Sequence, residues 1–176
     1  MSSKFDKFKF TDEMVVSLNA NFKLVAKNVN LMDVTKSDIE LEICHSLQYD
    51  HCNVTGVYFW VMEIESQQYR IYVGKTKSLS RRLSDYFNNF QIHSPNDYKL
   101  KFFQDYVLDL HHRAKFELYF MPCDISEYTQ NETKMVNKFT PLINERARVS
   151  QDTKDKMKQA FQEYYVSVFE AKINKQ

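Results

Sequence analysis

The sequence predicts an α+β domain: a small central antiparallel sheet flanked by helices, with helical N- and C-terminal extensions. Three observations predict it. Val57–Glu63 and Tyr69–Val73 are β-branched and aromatic runs parted by the polar "ESQQ", which reads as a hairpin with a medium-length loop. "KFELYF" alternates Phe116, Leu118 and Phe120, a third and half-buried strand closed by Pro122. Around these strands, apolar residues recur at helical spacing. The chain has 176 residues, 43% of them hydrophobic and 15% aromatic, which is enough apolar surface for one core.

The elements follow in order. "TDEMVVSLNANF" and the basic residues after it read as a helix over 11–27. Ser37 and Glu40 have capping-box spacing and start a second helix. Beyond the hairpin, Ser78 is the expected N-cap of a helix carrying Leu79, Leu83, Tyr86 and Phe90 on one stripe. Leu100, Phe103, Val107 and Leu110 mark another amphipathic helix. After the third strand, a helix over 127–139 buries Met135, Val136 and Phe139 and runs into "TPLIN". Met157, Phe161, Tyr164, Tyr165 and Val168 trace a last helix capped by Asp152.

Composition excludes little but is informative. A net charge of +1 gives no bulk attraction to nucleic acid and leaves a local basic patch open. No run approaches the roughly 18 apolar residues of a bilayer span, so no membrane partner is expected. "MSSKFDKFKF" lacks the apolar centre of a signal peptide. Cys44, Cys52 and Cys123 are odd in number, without framework spacing, which fits a reducing, intracellular and cytoplasmic protein.

The only glycines, Gly56 and Gly74, both lie in the hairpin, against strand-like runs rather than in turns. Glycine within a strand marks the close approach of a backbone or a ligand. Two charged residues also break the helical pattern. At about 100° per residue, Arg81 points to water while Arg82 lies on the edge of the apolar stripe. Arg82 either snorkels along the core rim or aims its guanidinium at an anion over the sheet. Glu132 stands on the apolar face of Met135, Val136 and Phe139. A carboxylate there needs a cation, hydrogen-bond donors or a metal. Tyr58 and Tyr72 lie beside the glycines and Lys75 follows Gly74. Two phenols, a lysine, an arginine and a carboxylate that converge in this way suit a phosphodiester and a divalent ion.

"GVY" at 56–58, "YVG" at 72–74 and the run "YVGKTKSLSRRLSDYF" resemble the GIY-YIG nuclease family, in particular its excision-repair nucleases of the excinuclease C type and its compact restriction and phage endonucleases. Valine replaces the family's isoleucine in "YVG". Lys75 follows Tyr72 by three residues and Arg82 follows Lys75 by seven, as in that pattern. Glu132, Pro141 and Asn144 match its distal acid helix and P-x-x-N ending. The resemblance covers residues 56–144 and implies a catalytic domain at 53–146, a helical extension at 1–52 and a C-terminal helix at 147–176. It implies hydrolysis of double-stranded DNA to 5′-phosphate and 3′-hydroxyl ends, with Mg²⁺ or Mn²⁺ held by Glu132. Tyr58 would serve as general base or place the water, with Lys75 assisting. Arg82 and Tyr72 would contact the scissile phosphate, and Asn144 would brace the site. Lys75, Lys77, Arg81 and Arg82 are the expected DNA contacts. The glycines would let the hairpin approach the Arg82 helix and the substrate. The extra residues 88–106 are expected to contact DNA or to oligomerise the chain, as a homodimer or a higher homo-oligomer.

Other signals are weaker. Cys44, His45, His51 and Cys52 are adjacent pairs, poor spacing for zinc. His111 and His112 read as surface residues. Lys4, Lys7 and Lys9 interleave with Phe5, Phe8 and Phe10, either a DNA-binding arm or an edge strand.

Overall fold

The computed structural model describes residues 5–30, 35–87, 95–144 and 151–174. It contains helix α1 (Asp12–Asn21), strand β1 (Lys23–Ala26), α2 (Lys36–Leu47), β2 (Gly56–Ile64), β3 (Gln67–Thr76), α3 (Leu79–Phe87), α4 (Pro95–Leu110), β4 (Lys115–Pro122), α5 (Tyr128–Phe139) and α6 (Gln151–Ile173). The strands form one antiparallel sheet in the order β1-β4-β2-β3. The α+β class is as predicted, and the sheet has a fourth strand.

That strand corrects the helix expected over 11–27. Thr11 caps α1 by accepting the Met14 N–H, but the helix stops at Asn21 and Phe22 is already extended. The next residues pair with β4, with Lys23 opposite Phe120 and Leu24 opposite Tyr119. Sheet pairing available only in three dimensions overrides the local preference. The N-terminal segment is therefore built into the sheet. In α2 the cap is Thr35 rather than Ser37: its Oγ1 accepts the Asp38 N–H at 3.2 Å and donates to Asp38 Oδ2 at 2.6 Å. The capping logic holds, displaced by two residues. Between β2 and β3 the loop shrinks to Glu65 and Ser66, both at positive φ (51° and 64°). Two consecutive left-handed residues match the twist of the flanking strands.

Helices cover both faces. Tyr58, Trp60 and Met62 pack with Ile39 and Ile43 of α2, Leu79, Leu83 and Tyr86 of α3, and Leu100 and Val107 of α4. Val57, Phe59 and Val61 pack with Leu18 of α1 and Met135 and Phe139 of α5. Interior β4 is thus buried on both sides, including Tyr119, instead of half-buried. Leu110, expected on the apolar stripe of α4, is 49% exposed at the helix end. Asp152 lies inside the first turn of α6 and pairs with Lys156. Phe90, the residues 88–94 of the expected insertion, and Lys4 fall outside the described residues, as do the side chains of Met157, Phe161 and Tyr165.

Edge strand β3 is sealed along much of its outer side. Phe10 donates its N–H to the Gln68 carbonyl, and Lys9 bridges Tyr69. Leu142 and Ile143 donate to the carbonyls of Arg70 and Ile71, and the Asn144 amide bonds both backbone groups of Val73. Covering an edge in this way blocks strand addition by another chain. The segment Lys7–Phe10 is not a regular edge strand: Asp6–Phe8 is a 3₁₀ turn, only Lys9 bridges to Tyr69, and Phe5 and Phe10 are buried on either side. Arg70 fastens it. This buried guanidinium donates to the carbonyls of Lys7 (2.6 Å), Phe8 (3.0 Å) and Phe139 (2.6 Å) and to the Thr140 hydroxyl.

The glycines are space-makers, since neither has positive φ. A Cβ on Gly56 would lie 2.5 Å from the Phe120 ring and would collide with the Met121 carbonyl. The expected approach to the Arg82 helix is thus an approach to β4. Because a backbone atom of a paired strand cannot yield, Gly56→Ala is expected to cost about 1–3 kcal/mol or more. That lowers Tm by roughly 2–12 °C. An unchanged thermal melt would show that β2 and β4 can part there.

Candidate active site

A cleft of about 450 Å³ opens beyond the sealed part of β3. Tyr58, Tyr72, Lys75, Lys77, Arg81, Arg82 and Glu132 all line it, together with Asp85 and Tyr128. Of the expected site residues, Asn144 alone is not on its wall.

Local folding explains the convergence. In the β2–β3 register Tyr58 lies opposite Gly74 and Trp60 opposite Tyr72. A Cβ on Gly74 would overlap the Tyr58 phenol, so the glycine is the slot through which that ring reaches the cleft. A register shift follows, because Val61 pairs with Arg70 and the strand holds one extra residue. Such a bulge resets the alternation of faces. It puts Tyr72 on the same face as Tyr69, three residues away, which strict alternation forbids. Asn144 accepts the Val73 N–H (2.7 Å) and donates to the Val73 carbonyl (2.6 Å), fixing the strand between Tyr72 and Gly74.

Arg82 enters from α3. Ser78 Oγ accepts the Arg81 N–H, as expected of the N-cap. Arg81 projects to solvent and Arg82 turns inward, with a side chain only 14% exposed. Its Nε donates to Tyr58 Oη at 2.8 Å, and its other nitrogens face Tyr86 Oη (3.3 Å) and Asp85 Oδ2 (3.4 Å). Tyr86 Oη and Tyr58 Oη are 3.2 Å apart. Tyr86 and Asp85 were missed by sequence reasoning. Tyr86 looked like one more apolar stripe residue, and the i+3 and i+4 spacing from Arg82 was the available signal.

Lys75 and Glu132 come from the other face, since Lys75 pairs with Val57 and α5 packs on that side. Lys75 Nζ lies 3.0 Å from Glu132 Oε2 and 3.2 Å from Thr129 Oγ1. It also stands 5.4 Å from the Tyr128 ring centre. Glu132 is not in the middle of a buried face: it is 20% exposed, at the cleft rim, one turn before Met135. The site therefore straddles the end of an edge strand, with phenols and Arg82 on one side and the Lys75–Glu132 pair on the other.

Burial, with a smaller contribution from the neighbouring Tyr86, holds Tyr58 well above the usual phenol range, against the opposing pull of Arg82. Burial, followed by the nearby Tyr58, does the same for Tyr72. Both are neutral hydrogen-bonding groups at ordinary pH. Folded-state values above the unfolded value of about 10 mean that the native chain keeps protons that the unfolded chain releases. Their contribution is complete below pH ~10 and is lost as pH rises through the folded values. Tyr119, pushed up to about 12 by burial, adds to this. Ultraviolet titration should show these phenols ionising only as the fold is lost, and Tyr58→Phe should flatten the alkaline fall in stability. Ionisation of Tyr58 near pH 10 without unfolding would contradict this.

Four cationic side chains (Lys75, Lys77, Arg81, Arg82) and two carboxylates (Asp85, Glu132) line the cleft, a local positive excess on a chain of net charge +1. Among the described residues no group of three or more His, Cys, Asp or Glu gathers as a metal cage. Mg²⁺ does not need one, for it binds through one or two carboxylates and fills its shell with water and phosphate oxygens. A hard carboxylate, Glu132, on the wall of a cleft lined by four cationic side chains fits that donor set. Cys44, His45, His51 and Cys52 form no such group, and His111 and His112 are exposed. No helix among the described residues is long and apolar enough to cross a membrane.

Comparisons of the chain with family models, with curated proteins and with solved structures found no match.

Proposed function

We propose that this chain is a metal-dependent DNA endonuclease that hydrolyses phosphodiester bonds of duplex DNA to 5′-phosphate and 3′-hydroxyl ends, site-specifically, as restriction and phage enzymes do. One observation carries the reading: two neutral phenols, Arg82, Lys75 and Glu132 converge from both faces of the sheet on one cleft with a cationic rim. The resemblance of the same residues to the GIY-YIG pattern supports it.

The roles follow from the contacts. Arg82 is held between Tyr58 and Tyr86, so its charge is fixed where a phosphate would lie over the cleft. Tyr58 and Tyr72, kept neutral, orient the attacking water and the phosphate oxygens by hydrogen bonding, and Tyr58 takes the water-placing role rather than that of a base. Glu132 would hold Mg²⁺ or Mn²⁺, which supplies Lewis-acid stabilisation of phosphate charge. Lys75 sets the position of the Glu132 carboxylate. Lys77 and Arg81, exposed at the rim, contact the DNA backbone. Two copies of the chain would present one site to each strand of a duplex.

The test is plasmid DNA incubated with the protein in Mg²⁺, Mn²⁺ or EDTA, followed by sequencing of the ends. Metal-dependent cutting at discrete positions is expected. Cutting confined to branched or damaged substrates would move the chain to a structure-specific repair class. Binding without cutting would favour a DNA-binding module, a reading to which the Lys75–Glu132 ion pair, with its carboxylate already partnered, lends some support.

A further inference from the structure

We propose that Cys44 and Cys52 form a reversible thiol–disulfide site, oxidised by a hydroperoxide, that fastens the loop under α3 to α2. Cys44 lies in the last turns of α2 and Cys52 in the loop that leads into β2. They are free thiols eight residues apart in the chain, with their sulfurs 2.6 Å apart. Their placement side by side makes the intramolecular bond the short path. No third ligand joins them among the described residues, so the pair is a dithiol and not part of a metal quartet.

The two sulfurs differ in surroundings. Cys44 is partly exposed, whereas Cys52 is buried, with its Sγ 3.1 Å from the Glu40 carbonyl. Burial also pushes the Cys52 thiol up to about 12. Cys44 therefore meets the oxidant first. Its thiolate attacks one peroxide oxygen, the O–O bond breaks, and hydroxide leaves as water, giving a sulfenic acid. Cys52 sulfur then attacks Cys44 sulfur, the S–O bond breaks, and the Cys52 proton leaves with the hydroxide as a second water. Two thiols are oxidised and one peroxide is reduced. A small thiol reverses the step by exchange.

The loop has a second job, which gives the bond a consequence. The Cys52 carbonyl accepts the Ser80 N–H at 2.8 Å and the Val54 carbonyl accepts the Leu79 N–H at 2.9 Å. These are first-turn donors that a helix cannot satisfy internally. Glu40 of α2 also accepts from the Ser80 hydroxyl. A Cys44–Cys52 bond thus fixes the segment that caps α3, the helix that carries Arg82. This inference does not depend on the proposed nuclease activity.

The experiment treats the full chain with hydrogen peroxide and counts thiols. Of the three cysteine thiols, one should remain, Cys123. No Lys or Arg lies between Lys36 and Arg70, so one tryptic peptide holds both sulfurs and should lose two hydrogens. Dithiothreitol should restore it. Closing this loop should raise Tm by roughly 5–10 °C in the wild type and in Cys123→Ser, but not in Cys44→Ser or Cys52→Ser. Hydrogen exchange at Leu79 and Ser80 should slow on oxidation. A peptide that keeps both thiols, or that gains oxygen without losing the two hydrogens, overturns the site. A chain-to-chain disulfide through Cys123 formed first overturns it too, and unchanged exchange overturns the link to α3.

Discussion

Glu132→Ala is expected to abolish cleavage in Mg²⁺ and Mn²⁺ while leaving DNA binding within a few fold. Glu132 is the carboxylate at the cleft that is paired with Lys75, and Asp85, the other lining acid, faces the Arg82 guanidinium. On the proposed reading, removing Glu132 would leave the divalent ion without its carboxylate, and the stabilisation of phosphate charge would be lost. On the same reading, binding would be carried by the cationic side chains, of which Lys75 is freed from its partner rather than removed. The fold should hardly notice. Buried unpaired charge would have made removal stabilising, but Glu132 is partly exposed and already paired, and such surface pairs are worth about 1 kcal/mol or less. Single-turnover cleavage, a binding isotherm and a thermal melt on the same preparation separate these effects. A mutant that still cuts with metal would sink the ligand assignment, and one that loses binding along with cutting would make Glu132 a structural strut.

Arg82→Lys is expected to lose cleavage by about 10²–10³-fold, on the scale of removing a preorganised donor to a reacting group. Arg81→Ala should stay within a few fold of wild type. The neighbours differ because α3 turns one into solvent and the other beneath the phenols. Arg82 uses its fork twice over, with Nε on Tyr58 and a terminal nitrogen on Tyr86. Lysine brings a single point of charge and cannot hold both hydroxyls in place. The defect should therefore appear mainly in the cleavage step rather than in binding. Equal losses at positions 81 and 82, or an active lysine variant, would mean that any cation at this rim suffices.

Most of the candidate site was legible because its residues carry chemistry out of phase with their elements. Arg82 on a stripe edge and Glu132 on an apolar helix face are visible by counting, and both line the cleft. What was not legible is where a face stops being buried. Glu132 falls on the predicted side of α5, yet that side has already cleared the core and looks over the rim. Tyr86 was hidden by its own aptness for the core, since a phenol on an apolar stripe packs as a hydrophobe whether or not its hydroxyl has work to do.

The sequence by itself determined the class, the hairpin and third strand, the helix capped by Ser78, and most of the chemical groups in the site, Tyr86 and Asp85 excepted. Periodicity and capping are local properties, written within a few residues of each other. Tertiary structure alone decided the rest, because each remaining feature depends on residues far apart in the chain. Lys23–Ala26 is a strand because β4 offers it partners. Arg70 is buried because the carbonyls of Lys7, Phe8 and Phe139 meet around it. Gly74 is a glycine because the Tyr58 ring crosses it from the next strand, and Tyr72 faces the same cleft because the register sets it opposite Trp60, on the face of Tyr58. A side chain's neighbours across a sheet are fixed by register, and register is settled only when the whole sheet is paired.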